Sequence, residues 1–130
     1  MKLFDTVLDA CIRRFGYEQV QILEEDEQLE IDLLSGELEP MFPLYIGFHS
    51  ETDLELTAIV FQVPERDTDA FIAQCNTLNA QYPWVKFTVD SGYLCAGMDL
   101  LLRTGSAEDV MSMLTDLLQV ICTNLPGLLG

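Results

Sequence analysis

Basic residues are what this sequence most lacks. Six Lys and Arg stand against 22 Asp and Glu, a formal charge of −16 over 130 residues. Nucleic acid is therefore a poor partner, because binding it requires Lys and Arg to displace counterions from phosphates. An anionic membrane surface is disfavoured for the same reason. Long apolar runs are missing too: none approaches the ~20 residues that span a bilayer, and Asp5 and Asp9 interrupt any signal-peptide core after Lys2. His49 is the one histidine, and nothing in its spacing supplies the partners that a zinc site or a Ser-His-Asp or Cys-His centre requires. Gly-rich phosphate loops are absent; Ser35-Gly36, Ser91-Gly92 and Gly105-Ser106 read as turns. Cys11, Cys75, Cys95 and Cys122 are widely spaced with no C-x-x-C pair. Each falls in a regular element, where free Cys acts as a small apolar residue, and a disulfide framework does not suit a chain of this size. A cytoplasmic location is the expectation. No catalytic, cofactor-binding or metal-ligating residue is assigned, and the protein is not expected to be an enzyme.

What is present is core material: 49% of the residues are hydrophobic. A chain of this length reads as a single domain over residues 1–130 and should bury ~two thirds of its unfolded surface. Leu3, Phe4, Val7, Leu8, Cys11, Ile12 and Phe15 recur at helical spacing. Arg13 and Arg14 complement the dipole in the last turn, and Gly16 suits the stop. Val20 and Ile22 alternate with polar residues as a short strand. Residues 24–39 then carry eight carboxylates (Glu24, Glu25, Asp26, Glu27, Glu30, Asp32, Glu37, Glu39) and no base. Leu29, Ile31 and Leu33 alternate within them; a charged edge strand ending at Ser35-Gly36 is one reading, and disorder is the other. The stretch does not match a calcium loop.

Beyond Pro40 and Pro43 the pattern turns to β. Residues 44–49 and 54–63 read as an antiparallel pair. Leu56, Ala58 and Val60 point one way in the second of these, Ile59, Phe61 and Val63 the other, so both faces need cover. Asp67 or Thr68 can cap a second helix that buries Phe71, Ile72, Cys75, Leu78 and Tyr82 and is closed by Pro83. A hairpin follows, residues 84–90 and 93–103 about a two-residue Ser91-Gly92 turn. In that register Val85, Phe87 and Val89 share a side with Met98, Ala96 and Leu94. Trp84, Lys86, Thr88, Tyr93, Cys95 and Asp99 take the other. Ser106 with Asp109 forms a capping box for a third helix with Val110, Leu114, Leu117, Leu118, Ile121 and Leu125 as its stripe. Met111, Met113, Val120 and Cys122 lie outside that stripe. With no charge from Leu117 to Gly130, this helix should be buried on more than one side. The expected fold is α+β: an antiparallel sheet of five or six strands packed with three helices, in the order α-β-β-β-α-β-β-α.

The surplus apolar surface points either to helices and strands that cover one another or to an interface, with Trp84, Tyr93, Met111, Met113 and Val120 as candidate residues. Two-faced elements in so short a chain suggest a homodimer. The alternative is a small-molecule or metal-binding domain whose pocket is lined by Asp99, Tyr93 and the acidic cluster from Glu24 to Glu39; a cross-strand pair between Asp99 and Lys86 would remove its best residue.

Cys75-Asn76-Thr77-Leu78-Asn79 through Pro83, then residues 84–103 and 105–118, resemble the YbjN-like family, labelled as sensory transduction regulators. The order of elements also resembles the class I type III secretion chaperones. The resemblance covers about half of the chain, from Val60 onward. It implies a chaperone-like α+β fold, no catalysis and a role in binding protein or peptide clients, partly by adding strands to the sheet. It further implies dimerisation through residues 69–82 and 84–90. The acidic stretch from Glu24 to Glu39 departs from the family.

Overall fold

The computed structural model describes residues 2–33, 42–103 and 105–129. It contains α1 (Leu3–Phe15), β1 (Val20–Glu24), β2 (Gln28–Leu33), β3 (Phe42–Phe48), β4 (Asp53–Gln62), α2 (Thr68–Gln81), β5 (Lys86–Asp90), β6 (Tyr93–Leu101) and α3 (Ala107–Leu129). All strand pairs are antiparallel, and the sheet runs β1-β2-β3-β4-β6-β5. Among the described residues the sheet thus has six strands, and the short strand from Val20 brings the number ahead of α2 to four.

Local chemistry sets the boundaries. α1 stops at Gly16, whose φ of 97° suits a residue without Cβ. Its first amide, on Leu3, donates to Glu51 Oε2 at 2.9 Å, tying the helix start to the β3–β4 turn. Within that turn Ser50 Oγ accepts from the amides of Thr52 and Asp53. Ser91 and Gly92 both have positive φ (52° and 84°), the requirement of the tight two-residue hairpin, and Asp90 faces Tyr93 as that turn demands. Ser106 Oγ accepts from the Asp109 amide and caps α3.

Period-two alternation gives the sheet one buried face. Leu29, Ile31, Leu44, Ile46, Leu54, Leu56, Ala58, Leu94, Ala96 and Phe87 are all essentially inaccessible. α1 and α3 cover that face with Leu3, Phe4, Val7, Cys11, Val110, Leu114, Leu117 and Ile121. Each fully buried Leu, Ile or Phe contributes ~1.5–3 kcal/mol over its exposed state. The opposite face carries Glu30, Tyr45, Thr57 and Gly97 in one cross-strand row, and Gln28, Gly47, Glu55 and Asp99 in the next. α2 lies along β5, with Cys75 and Leu78 buried.

Four expectations are revised. The strand carrying Leu29, Ile31 and Leu33 is not an edge: β2 pairs with both β1 and β3, and β1 takes the edge. The turn at Ser35-Gly36 lies outside the described residues. Ile72 is exposed rather than buried, because α2 meets the sheet only along a narrow side. α3 is buried on one side only: Val120 belongs to the core at 8% exposure, while Gln119, Cys122, Thr123 and Pro126 face outward. Absence of charge from Leu117 onward therefore does not mean cover on every side. Asp99 faces Glu55 and Lys86 faces Gly97, so Asp99 and Lys86 are not cross-strand partners.

Candidate protein-binding surfaces

The two edges of the sheet are finished differently. At β5, Phe87 faces Ala96 across the hairpin, with its own N–H and C=O turned outward. Those two groups meet a single side chain from α2. The Phe87 amide donates to Asn79 Oδ1 at 2.6 Å, and Asn79 Nδ2 donates to the Phe87 carbonyl at 2.9 Å. At Phe87 the carboxamide of Asn79 thus takes the place of a neighbouring strand and caps the edge there, one of the ways a sheet avoids unwanted pairing. Asn79 was legible in sequence only as part of an Asn-rich helix end; its role needs the fold to set α2 beside β5.

At β1 nothing of the kind is present among the described residues. The Phe48 amide donates to Glu27 O at 2.7 Å, so odd positions of β2 turn their backbone towards β3 and even positions towards β1. Gln21 faces Glu30 and is bound to it; Ile22, facing Leu29, turns its N–H and C=O away from the sheet. Val20 directs its amide to Tyr17 O. The edge also shows apolar side chains: Ile22 is 44% exposed, Leu23 46% and Tyr17 79%. Around it stand Glu18, Glu24, Glu25, Asp26 and Glu27, with Lys2 bound to Asp26 at 3.1 Å. The Glu27 carboxyl is held above its ordinary value by a hydrogen bond and repulsion from Glu24. Partial burial, then Asp32, does the same to Glu30.

The five residues proposed from sequence do not form one surface. Trp84 is exposed, edge-on to Tyr82 at 5.8 Å, and shares a groove with Met113, Lys86, Cys95 and Asp99. A second depression joins Tyr82 and Trp84 to Asp116, Gln119 and Val120, the last with little of its surface showing. Met111 faces α1, its sulfur 3.8 Å from Cys11 Sγ. Tyr93 is exposed at the hairpin end, opposite Asp90 and Gln62. Nor does the alternative set converge. Asp99 lies in the Trp84 groove, Glu24 and Glu27 line a separate depression beside Tyr45 and His49, and Tyr93 lines neither. Carboxylates of Asp5, Glu25 and Asp26 approach within 4.8 Å of one another, but Asp26 already has a cation in Lys2 and the group is largely exposed. His49 is exposed, with Nε2 at 3.4 Å from Glu55. All four cysteines are free; burial pushes the Cys11 thiol up to about 12. Among the described residues no helix is long and apolar enough to cross a membrane.

A six-stranded antiparallel sheet with three helices is the type III secretion chaperone-like α+β fold. The family model YbjN, described as "Putative bacterial sensory transduction regulator", matches residues 5–126, and the chain belongs to that family. The crystal structure of YbjN from E. coli superposes with a TM-score of 0.64 at 17% identity, covering 91% of this chain and 84% of that one. A chain of the ExsC–ExsE complex gives 0.61 at 19% identity, covering 92% and 90%. The Yersinia pestis type III secretion chaperone SycH, solved with a fragment of YscM2, gives 0.56 at 13%, covering 92% and 98%. A comparison with curated protein sequences yields no match.

Proposed function

We propose that this protein is a non-enzymatic, single-domain adaptor or regulator. It acts in the cytoplasm as a homodimer and takes an extended segment of a protein client onto the outer edge of β1. The observation that carries this reading is the contrast between the edges: Asn79 caps β5 at Phe87, while among the described residues nothing pairs the outward N–H and C=O of Ile22, beside exposed Leu23. An added strand would satisfy those groups, with backbone hydrogen bonds supplying affinity and alternate side chains supplying selectivity. Neighbours of the same fold are solved in complex with other proteins, which supports a protein-binding role. For the dimer, exposed Ile72 and the Tyr82–Trp84 pair favour the α2 side, in line with the family resemblance. The outer side of α3 loses support, since Val120 is buried and Met111 packs on Cys11.

The test is a photocrosslinking residue at Leu23, in the native bacterium, with and without Ile22→Pro. Proline removes an N–H that the sheet does not use, so the fold stays intact. A discrete crosslinked protein that disappears with Ile22→Pro is the expected result; a crosslink indifferent to the proline would discard the strand-accepting edge.

A further inference from the structure

We propose that the uncovered face of the sheet, at the trough over Gly47, seats an Arg- or Lys-bearing segment of the partner protein; this rests on the strand-accepting reading and names the chemistry of the client. The trough occupies 470 Å³ beside the end of β1, with Tyr45 and Thr57 on its floor and Glu24, Glu27 and Glu55 among its walls. Glu24, the last residue of β1, is part of its lining. Gly47 is the telling residue. It is the penultimate residue of β3, and glycine weakens a strand. Its φ is not in the left-handed region, and a Cβ built there meets nothing nearer than Glu55 O at 4.0 Å. Gly97 on the same face is different, since a Cβ there would strike Leu56 O at 2.8 Å. Packing thus requires Gly97 but not Gly47, and a bare backbone near the strand end suits the close approach of another chain.

Charge selects the occupant. Across this face Glu55 stands directly opposite Asp99, and like charges so placed repel. Glu24 and Glu27 crowd each other at the rim, and Glu30 and Asp32 extend the acid along β2. Lys86 and His49 are the basic groups on or beside it. A second copy of this chain, also at −16, would add to the repulsion. A bare divalent ion requires oxygens converging on one point, and the carboxylates that cluster most closely among the described residues, Asp5, Glu25 and Asp26, lie elsewhere. A guanidinium or ammonium on an extended chain matches the sign of the trough.

The experiment titrates the protein with N-acetyl-(Val-Arg)₃ amide in about 150 mM salt, followed by amide NMR shifts, for the natural chain and Gly47→Val. Shifts centred on Tyr45, Gly47 and Thr57, with affinity at least roughly tenfold weaker in Gly47→Val at an unchanged or higher melting temperature, are expected. Shifts spread evenly over remote acids such as Glu65, Asp69 and Glu108, equal affinity in the variant, or no shift at all would overturn the proposal. Shifts at Gly47 with none at Ile22 would uphold the face while counting against the edge.

Discussion

At the residue scale, Asn79 is the side chain whose removal is most telling. Its carboxamide satisfies both outward backbone groups of Phe87, a residue only 1% exposed. Asn79→Ala leaves that donor and acceptor without a partner, at a cost of ~1–3 kcal/mol. Asn79→Asp should also weaken the fold, because a carboxylate cannot donate to the Phe87 carbonyl. Urea denaturation of both variants checks this; stability equal to that of the natural chain in either would refute the cap at Phe87. The opened β5 edge should also make Asn79→Ala more prone to aggregate.

At the element scale, the β1–β2 hairpin carries a pH signature. The pKa values of Glu27 and Glu30 are raised in the fold above the ordinary 4.5, the first chiefly by Glu24, the second by burial and Asp32. A carboxyl whose folded pKa is raised binds its proton more tightly in the fold than in the unfolded chain. Its contribution is therefore full below 4.5 and is lost as pH rises through the raised value. The melting temperature at constant ionic strength should climb as pH falls from neutral towards the ordinary 4.5. A steady decline over that interval would contradict the assignment. The same elements show what sequence can and cannot reveal. The hairpin register from Phe87 to Met98 and the α1 and α3 stripes were legible, because alternation, helical spacing, a Ser-Gly turn and a capping Ser are local signals. Which strand forms the edge was not, because pairing order depends on contacts distant in sequence; β2 looked like an edge by its charge and proved internal. The same limit hid Asn79, and it placed Val120 outside the core when the helix turns it inward.

At the scale of the whole molecule, the charge of −16 disfavours close association of two copies at low salt, so a dimer needs an apolar contact such as Ile72, Tyr82 and Trp84. Light scattering after size exclusion, at about 150 mM salt and two concentrations, should give a species of twice 14.6 kDa. Trp84→Ala should shift it towards monomer without unfolding. Val120→Glu is no test of association, since it would place a charge in the core. A monomer throughout would remove the dimer and leave the β1 edge untouched.

Asn79 caps the β5 edge at Phe87 and, among the described residues, nothing caps the β1 edge at Ile22; native-state hydrogen exchange reads this contrast directly. The Phe87 amide, held by Asn79, should exchange slowly, and the Ile22 amide should exchange orders of magnitude faster in the free protein. Comparable protection at Ile22 and Phe87 would mean that β1 is already covered, and the strand-accepting account would be wrong.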